Sequence, residues 1–279
     1  MPKLLIMEGN TLAQQARSAA LGVRSASDVY IHAIAAHFPD LHLDVIHGAD
    51  RGQDLPAGIS LGDYDGLVIS GSGLHAYDMD FAVRNQIDLV RAFAKTGKPV
   101  LGSCWGLQIA VIAAGGTVGL SPNGREVGAA RNITLNDAGR GHPLFAGKPP
   151  AFDALCIHYD EVTALPEGAV LLSSNIHSPV QGAIIPLEKS EIWAVQYHPE
   201  YDLDQMAMMM RLYRDDMVEQ GFFTDPPNGD AFIAKIEALH QSPDDVALAW
   251  QLGMGEAVLD DKLRRGEIIN WIRHQILKR

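Results

Sequence analysis

Three short stretches, KLLIM (Lys3–Met7), GLVIS (Gly66–Ser70) and KPVLG (Lys98–Gly102), are apolar along nearly their whole length. Each is too short for a helix, and none alternates apolar with polar. A strand of that kind must be buried on both faces, which is the situation of a parallel sheet sandwiched between helices. Helical periodicity fills the intervals, over roughly Ser27 to Phe38 with Pro39 as its stop, and over Phe81 to Lys95. Leu41 to His47 alternates as a half-buried strand, and a further helix starts near Trp105. The pattern predicts an α/β fold: three layers, a mostly parallel sheet with helices on both faces. In such sheets ligands gather where strand C-terminal ends meet loops. Ser70-Gly71-Ser72-Gly73 and Gly102-Ser103-Cys104 both fall at such ends.

The middle of the chain has a different texture. From about Arg125 to Val195 the pieces VGAARNITL, FDALCIHY, AVLLSS, VQGAII and EIWAVQ read as strands. One long helix is expected from Leu203 to about Gln220, with Met206, Met208, Met209 and Met210 as gap-filling core residues. FFTDPPNG, Phe222 to Gly229, reads as a linker. The expected organisation is one domain over residues 1–222 and a small helical appendage over 229–279, in which Trp250 and Trp271 sit on apolar faces that pack against the rest of the chain.

Bulk properties exclude several functions. A formal net charge of -12 argues against nucleic acid or an anionic membrane as the main partner, because both select Lys/Arg patches. No apolar run approaches the roughly 20 residues of a membrane span. Cys104 and Cys156 are too few for a disulfide framework, which suits a reducing cytoplasm.

One of these two cysteines sits at a bend. VLGSCWGLQIA places Cys104 between Gly102 and Gly106, after a strand and before a helix. Strand, G-x-C-x-G, helix is the cysteine counterpart of the G-x-S-x-G nucleophile elbow. The glycines allow close backbone approach in the turn, and the free N–H groups and dipole of the helix N-terminus favour a thiolate. Those N–H groups, that of Trp105 first, can also hold an oxyanion. A small buried cysteine at a strand–helix junction is the alternative at Cys104, and it is the expected role of Cys156 within ALCIHY. A thiolate nucleophile needs a histidine and an orienting group. Among 11 histidines, His198 follows the buried run IWAVQ and precedes Pro199-Glu200. In an extended segment residues i and i+2 face the same way, so Glu200 can reach the His198 ring.

These residues carry a resemblance. The chain resembles the class I, triad-type glutamine amidotransferases, in particular the glutaminase domain of GMP synthase and the stand-alone γ-glutamyl peptidases of the same superfamily. The likeness runs in order through VISGSG, GSCWGLQ, GREVG (Gly124–Gly128), HYDEV (His158–Val162) and QYHPE, covering roughly residues 1 to 220. It implies a flavodoxin-like three-layer fold. It also implies Cys104 as nucleophile, His198 as acid and base, and Glu200 as the orienting partner. The amides of Ser72 and Trp105 would form the oxyanion hole. Gly71, Gln108 and the Ser178-Pro179-Val180 loop would hold the substrate. The implied reaction turns the glutamine side-chain amide into glutamate and ammonia through a γ-glutamyl thioester, with no metal or organic cofactor, and a separate synthase chain could take the ammonia. Two departures stand out: the oxyanion loop reads Ser70-Gly71-Ser72-Gly73 where relatives commonly have S-G-G-P, and the bulky Trp105 follows the nucleophile, where it is expected to shape the pocket. A γ-glutamyl peptidase acting on conjugates and a binding or regulatory module without turnover are the alternative readings.

Overall fold

The computed structural model describes residues 1–52, 55–56 and 58–278. Eleven strands are present among them: β1 Lys3–Met7, β2 His42–Ile46, β3 Gly66–Ile69, β4 Val100–Ser103, β5 Thr117–Leu120, β6 Glu126–Leu135, β7 Ala151–His158, β8 Asp160–Ala164, β9 Val170–Ser174, β10 Gly182–Leu187 and β11 Ser190–Val195. Nine form one sheet in the order β2-β1-β3-β4-β11-β10-β9-β6-β7, and β5 pairs with β8 in a separate ribbon. From β2 to β11 neighbours are parallel; from β11 onward they are antiparallel. The five strands read in the middle of the sequence are therefore all present, and four of them are the antiparallel wing.

The apolar runs are continuous because both sheet faces are covered. In β1, Leu5 and Met7 point to one face with Val83, Val90 and Phe93 of helix Phe81–Ala94. Leu4 and Ile6 point to the other, with Tyr30 and Ile34 of helix Ala26–Ala35. This is the period of two expected of a strand. Cys156 is fully buried in that second cluster, and burial pushes its thiol well above its ordinary pKa, so it stays an unreactive core residue.

Three local readings are corrected. The expected long helix is two, Leu203–Leu212 and Arg214–Glu219, interrupted at Tyr213, whose φ of -105° and ψ of 15° leave the helical region. Met206 and Met210 are buried in the core, whereas Met208 and Met209 are only partly covered and Met209 lines the cavity that contains Cys104. Part of the expected linker is helical: Pro226 and Pro227 open a helix, Pro226–Gln241, capped by Asp225. Proline at the first turn removes a donor that would have had no partner there.

The C-terminal helices pack onto the sheet. Trp271 is fully buried in the same cluster as Leu4, Ile6 and Tyr30, so near β3 that a Cβ on Gly66 would lie 2.8 Å from its indole. Glu267, also fully buried, accepts a hydrogen bond from the Tyr197 hydroxyl (2.5 Å) and pairs with Lys148 at 3.1 Å. Asn270 donates to the carbonyls of Leu144 and Ala146. Trp250 differs from its expected place: it is 86% exposed. Helix Val246–Leu252 buries Ala249 and Leu252 instead, and Arg131 fixes its C-terminal end by donating to the Leu252 carbonyl. No helix among the described residues is long and apolar enough to cross a membrane.

Candidate active site

Cys104 stands between β4 and the helix Trp105–Ala113 with φ 50° and ψ -101°. Positive φ in a residue with a Cβ costs about 1–3 kcal/mol and persists only where the surroundings impose it. Here they do. A Cβ on Gly102 would lie 2.7 Å from the Gly106 carbonyl carbon, and a Cβ on Gly106 would lie 2.6 Å from the Ile69 oxygen. The two glycines of G-x-C-x-G thus let strand and helix press together, and the turn between them lifts the thiol towards the cavity. The Cys104 Sγ lies 3.8 Å from the Ile157 carbonyl.

His198 and Glu200 follow β11, the strand next to β4. The His198 Nδ1 donates to Glu200 Oε1 at 2.7 Å, and both side chains are almost completely buried. That bond leaves Nε2 free of Glu200, with Cys104 near enough to act on the charge of the ring. Burial lowers the His198 pKa, but the Glu200 charge, the neighbouring Cys104 and their hydrogen bonds act against it and push it up to about 10. Tyr201 stacks on the ring, centroid to centroid 4.0 Å with planes 16° apart. Where the sequence predicts an extended segment, His198 to Tyr201 form a turn, closed by the Tyr201 amide on the His198 carbonyl at 3.3 Å, and it is this turn that brings Glu200 to the ring.

The loop after β3 closes the other side. A Cβ on Gly71 would lie 2.9 Å from His198 Cε1, so this position must be bare for the imidazole to sit where it does. Ser72 donates from its hydroxyl to the Gly9 carbonyl (2.9 Å) and accepts from the Leu74 amide (3.1 Å). Its side chain ties down the loop, which explains how the position tolerates a non-glycine residue. The Gly73 amide donates to Asn10 Oδ1, and Asn10 is itself held by the buried Glu8 carboxylate. The backbone N–H groups of Ser72 and Trp105 make no hydrogen bond among the described residues. Gly71→Ala is expected to push the imidazole off its line and lower kcat/KM about 100-fold, the scale of a misplacement near 1 Å. Steady-state kinetics beside a melting curve would show it, and unchanged kcat/KM would contradict the contact.

Cys104, His198, Gly71, Ser72 and Gln108 line a common cavity of about 380 Å³. Gln108 reaches it from helix Trp105–Ala113, its Nε2 donating to the Asp160 carbonyl at 3.0 Å. Two sequence-based placements are corrected. The Trp105 side chain is fully buried and donates to Gln86 Oε1 (2.9 Å), on the side of helix Phe81–Ala94; it anchors the elbow and does not shape the pocket. Ser178, Pro179 and Val180 do not line the cavity. The Ser178 hydroxyl donates to Glu161 (2.7 Å), and Val180 packs in the core. The segment in the cavity wall is His158-Tyr159-Asp160.

Sequence reasoning missed several groups. The Asp160 carboxylate is buried in that wall, with His75 Nδ1 at 2.7 Å and the Tyr77 hydroxyl at 3.3 Å. Arg125, Tyr159 and Tyr213 form the rim, with the guanidinium 5.3 Å and 5.0 Å from the two phenol rings. HYDEV marks Asp160 and GREVG marks Arg125, but nothing local in the sequence shows that they share a pocket. Among the described residues, Glu126, His158 and His177 are the group whose ligand atoms could approach a metal ion, all within 4.8 Å of one another. Glu126 already accepts from Asn175 and Gln181 as well as facing His158 Nε2 at 2.9 Å, and its pKa is lowered by these partners against the effect of burial. Its oxygens are occupied in a packed hydrogen-bond network.

A γ-glutamyl-L-1-hydroxyisopropylamide hydrolase from Pseudomonas sp is 29% identical over 99% of this chain and 93% of its own length. A GMP synthase from Lactococcus lactis subsp. cremoris is 33% identical over 48% of the chain, and the match spans only 24% of that longer protein. The crystal structure of a glutamine amidotransferase from Methylobacillus flagellatus superposes with a TM-score of 0.64 over 98% of this chain and 94% of its own, at 21% identity, a likeness of fold. The family model for class-I glutamine amidotransferases matches residues 27–214, and the chain belongs to that family.

Proposed function

We propose that this chain hydrolyses a γ-glutamyl amide bond through a thioester on Cys104. The observation that carries this reading is a strained cysteine at a helix N-terminus that shares one cavity with the Gly71-Ser72 loop and with His198, which is itself paired with the buried Glu200. The Cys104 sulfur attacks the substrate Cδ. The Ser72 and Trp105 amides take the developing oxyanion, and His198 gives a proton to the departing nitrogen. Two of the influences that raise the His198 pKa come from Cys104. They disappear once the sulfur is acylated. The pKa of His198 then falls, and the same ring becomes able to take a proton from the water that releases glutamate. Glu200 holds the tautomer. Gln108 and the buried Asp160 carboxylate are placed to meet the polar α-groups of the glutamyl unit, the role first expected of the Ser178–Val180 loop. These steps draw on no metal or organic cofactor.

L-glutamine is the simplest substrate, with ammonia as the second product and a separate synthase chain as its acceptor; the partial similarity to GMP synthase supports this. A γ-glutamyl conjugate of a larger amine is the second reading. The cavity continues from Cys104 to Arg24, Gln205 and Met209, more room than departing ammonia needs, and the relative of nearly equal length is a hydrolase of a substituted γ-glutamyl amide. Glutamate release from L-glutamine and from a panel of γ-glutamyl amides and peptides tests both. We expect turnover of at least one of them, with a higher kcat/KM for the substituted amides. Preference for glutamine would return the assignment to an ammonia donor. Failure of all, with no labelling of Cys104 by a glutamine-like electrophile, would leave a binding module on the same fold.

A further inference from the structure

Behind Glu200 lie two residues outside the triad: Ser103, at the open position between Gly102 and Cys104 in G-x-C-x-G, and Tyr30, which lies in none of the matched motifs. The Ser103 hydroxyl is 3.0 Å from Glu200 Oε1, the same oxygen that accepts from His198. The Tyr30 hydroxyl is 2.7 Å from Ser103 Oγ. Ser103 is the last residue of β4, next to the nucleophile, and Tyr30 comes from helix Ala26–Ala35 on the opposite flank; both are fully buried.

The directions follow from counting protons. An ionised carboxylate only accepts, so the single Ser103 proton goes to Glu200. Ser103 then accepts, and Tyr30 donates to it. Burial first, and then the Glu200 charge, push the Tyr30 pKa well up, so it keeps its proton as a donor. The other Glu200 oxygen, Oε2, is buried and has no partner among the described residues. Glu200 therefore has two anchors, His198 and Ser103, on one oxygen. Without Ser103 the oxygen that faces His198 loses its second anchor, and the carboxylate can rotate to exchange its oxygens.

We propose that Ser103, backed by Tyr30, is a positioning residue for catalysis: it fixes which Glu200 oxygen faces His198 and weakens that oxygen's pull on the imidazole proton. The proposal rests on the reading of Cys104 as nucleophile and His198 as its acid–base partner. A carboxylate that receives a second hydrogen bond is a poorer acceptor for the first. Removing the Ser103 hydroxyl strengthens the bond between Glu200 and the imidazole proton, raises the His198 pKa and so moves the rising limb of thioester hydrolysis to higher pH. The groups facing the ring are Cys104 from the elbow, Glu200 from its own loop and the stacked Tyr201, with Glu8 beyond Tyr201. Ser103→Ala leaves all of them in place.

The His198 ring is titrated by NMR through its Cε1 proton in a Cys104→Ala background, which imitates the loss of sulfur charge in the acyl enzyme and needs no substrate. Adding Ser103→Ala is expected to raise the midpoint by about one pH unit, Tyr30→Phe by less, and Ser103→Thr to restore it. With Cys104 intact, the kcat profile of Ser103→Ala should move the same way, with kcat about tenfold lower below the limb. An unmoved His198 midpoint in both Ser103→Ala and Tyr30→Phe, or activity lost equally at every pH, would overturn the proposal and leave Ser103 a packing residue. If no γ-glutamyl substrate is turned over, the functional reading fails separately, while the NMR midpoint still decides this one.

Discussion

Cys104→Ala is expected to lower glutamate release from the best γ-glutamyl substrate by about 10⁴-fold or more, the scale seen when a nucleophile is removed from a catalytic triad. The change deletes one sulfur from a side chain that is 6% exposed, so the variant should fold and melt close to the wild type. The backbone gives a second readout. Cys104 sits at φ 50° and ψ -101°, a conformation that any residue with a Cβ resists. Cys104→Gly is therefore expected to be equally inactive and yet to melt higher than Cys104→Ala, because the strain of about 1 kcal/mol or more is relieved. Activity loss combined with that order of melting temperatures would tie the strain to the elbow. Substantial glutamate release by Cys104→Ala would remove the nucleophile and with it the thioester.

The second large effect is on stability. Trp271→Ala is expected to cost about 3–5 kcal/mol, as for other fully buried aromatics, and to lower Tm by roughly 10 °C in a chain of this size. The indole fills the space beside Gly66 and packs with Leu4, Ile6 and Tyr30, all of which belong to the sheet or to the helix across it. Tyr30 is also the outer end of the hydrogen-bond chain to Glu200, so loss of the indole should reduce activity as well. Trp250→Ala is the control: at 86% exposure it should change stability by less than about 0.5 kcal/mol. Thermal melts of the two variants side by side decide the matter. Equal melting temperatures would mean that the C-terminal helices can be removed without disturbing the sheet, as an appendage joined at residues 222–229 would allow.

How much of this was legible in the sequence differs from element to element. β1, β3 and β4 are visible because a strand buried on both faces has no polar residue to interrupt it. The elbow is visible because its geometry demands glycine at Gly102 and Gly106, where a Cβ would meet backbone. The His198–Glu200 contact is visible because it is local. The site residues that escaped are brought in by topology. Tyr30 is 73 positions from Ser103, and Ser103 is 97 from Glu200. Asp160 meets His75 across 85 positions. No period or local motif records such encounters. Tertiary packing also explains the misread turns. Trp250 lies on a helical pattern, but the face of Val246–Leu252 that packs inward carries Ala249 and Leu252. Pro226-Pro227 has the composition of a linker and the position of a helix start.

A covalent γ-glutamyl thioester on Cys104 can be sought by intact-protein mass spectrometry after a rapid acid quench. Enzyme quenched during turnover of a γ-glutamyl amide is expected to gain the mass of one glutamyl group, mapped to the peptide containing Cys104 and absent in Cys104→Ala. Slowing hydrolysis at low pH, where His198 stays protonated, should increase the adduct. Steady glutamate release with no adduct on Cys104 at any quench time or pH, or release that persists in Cys104→Ala, would contradict it.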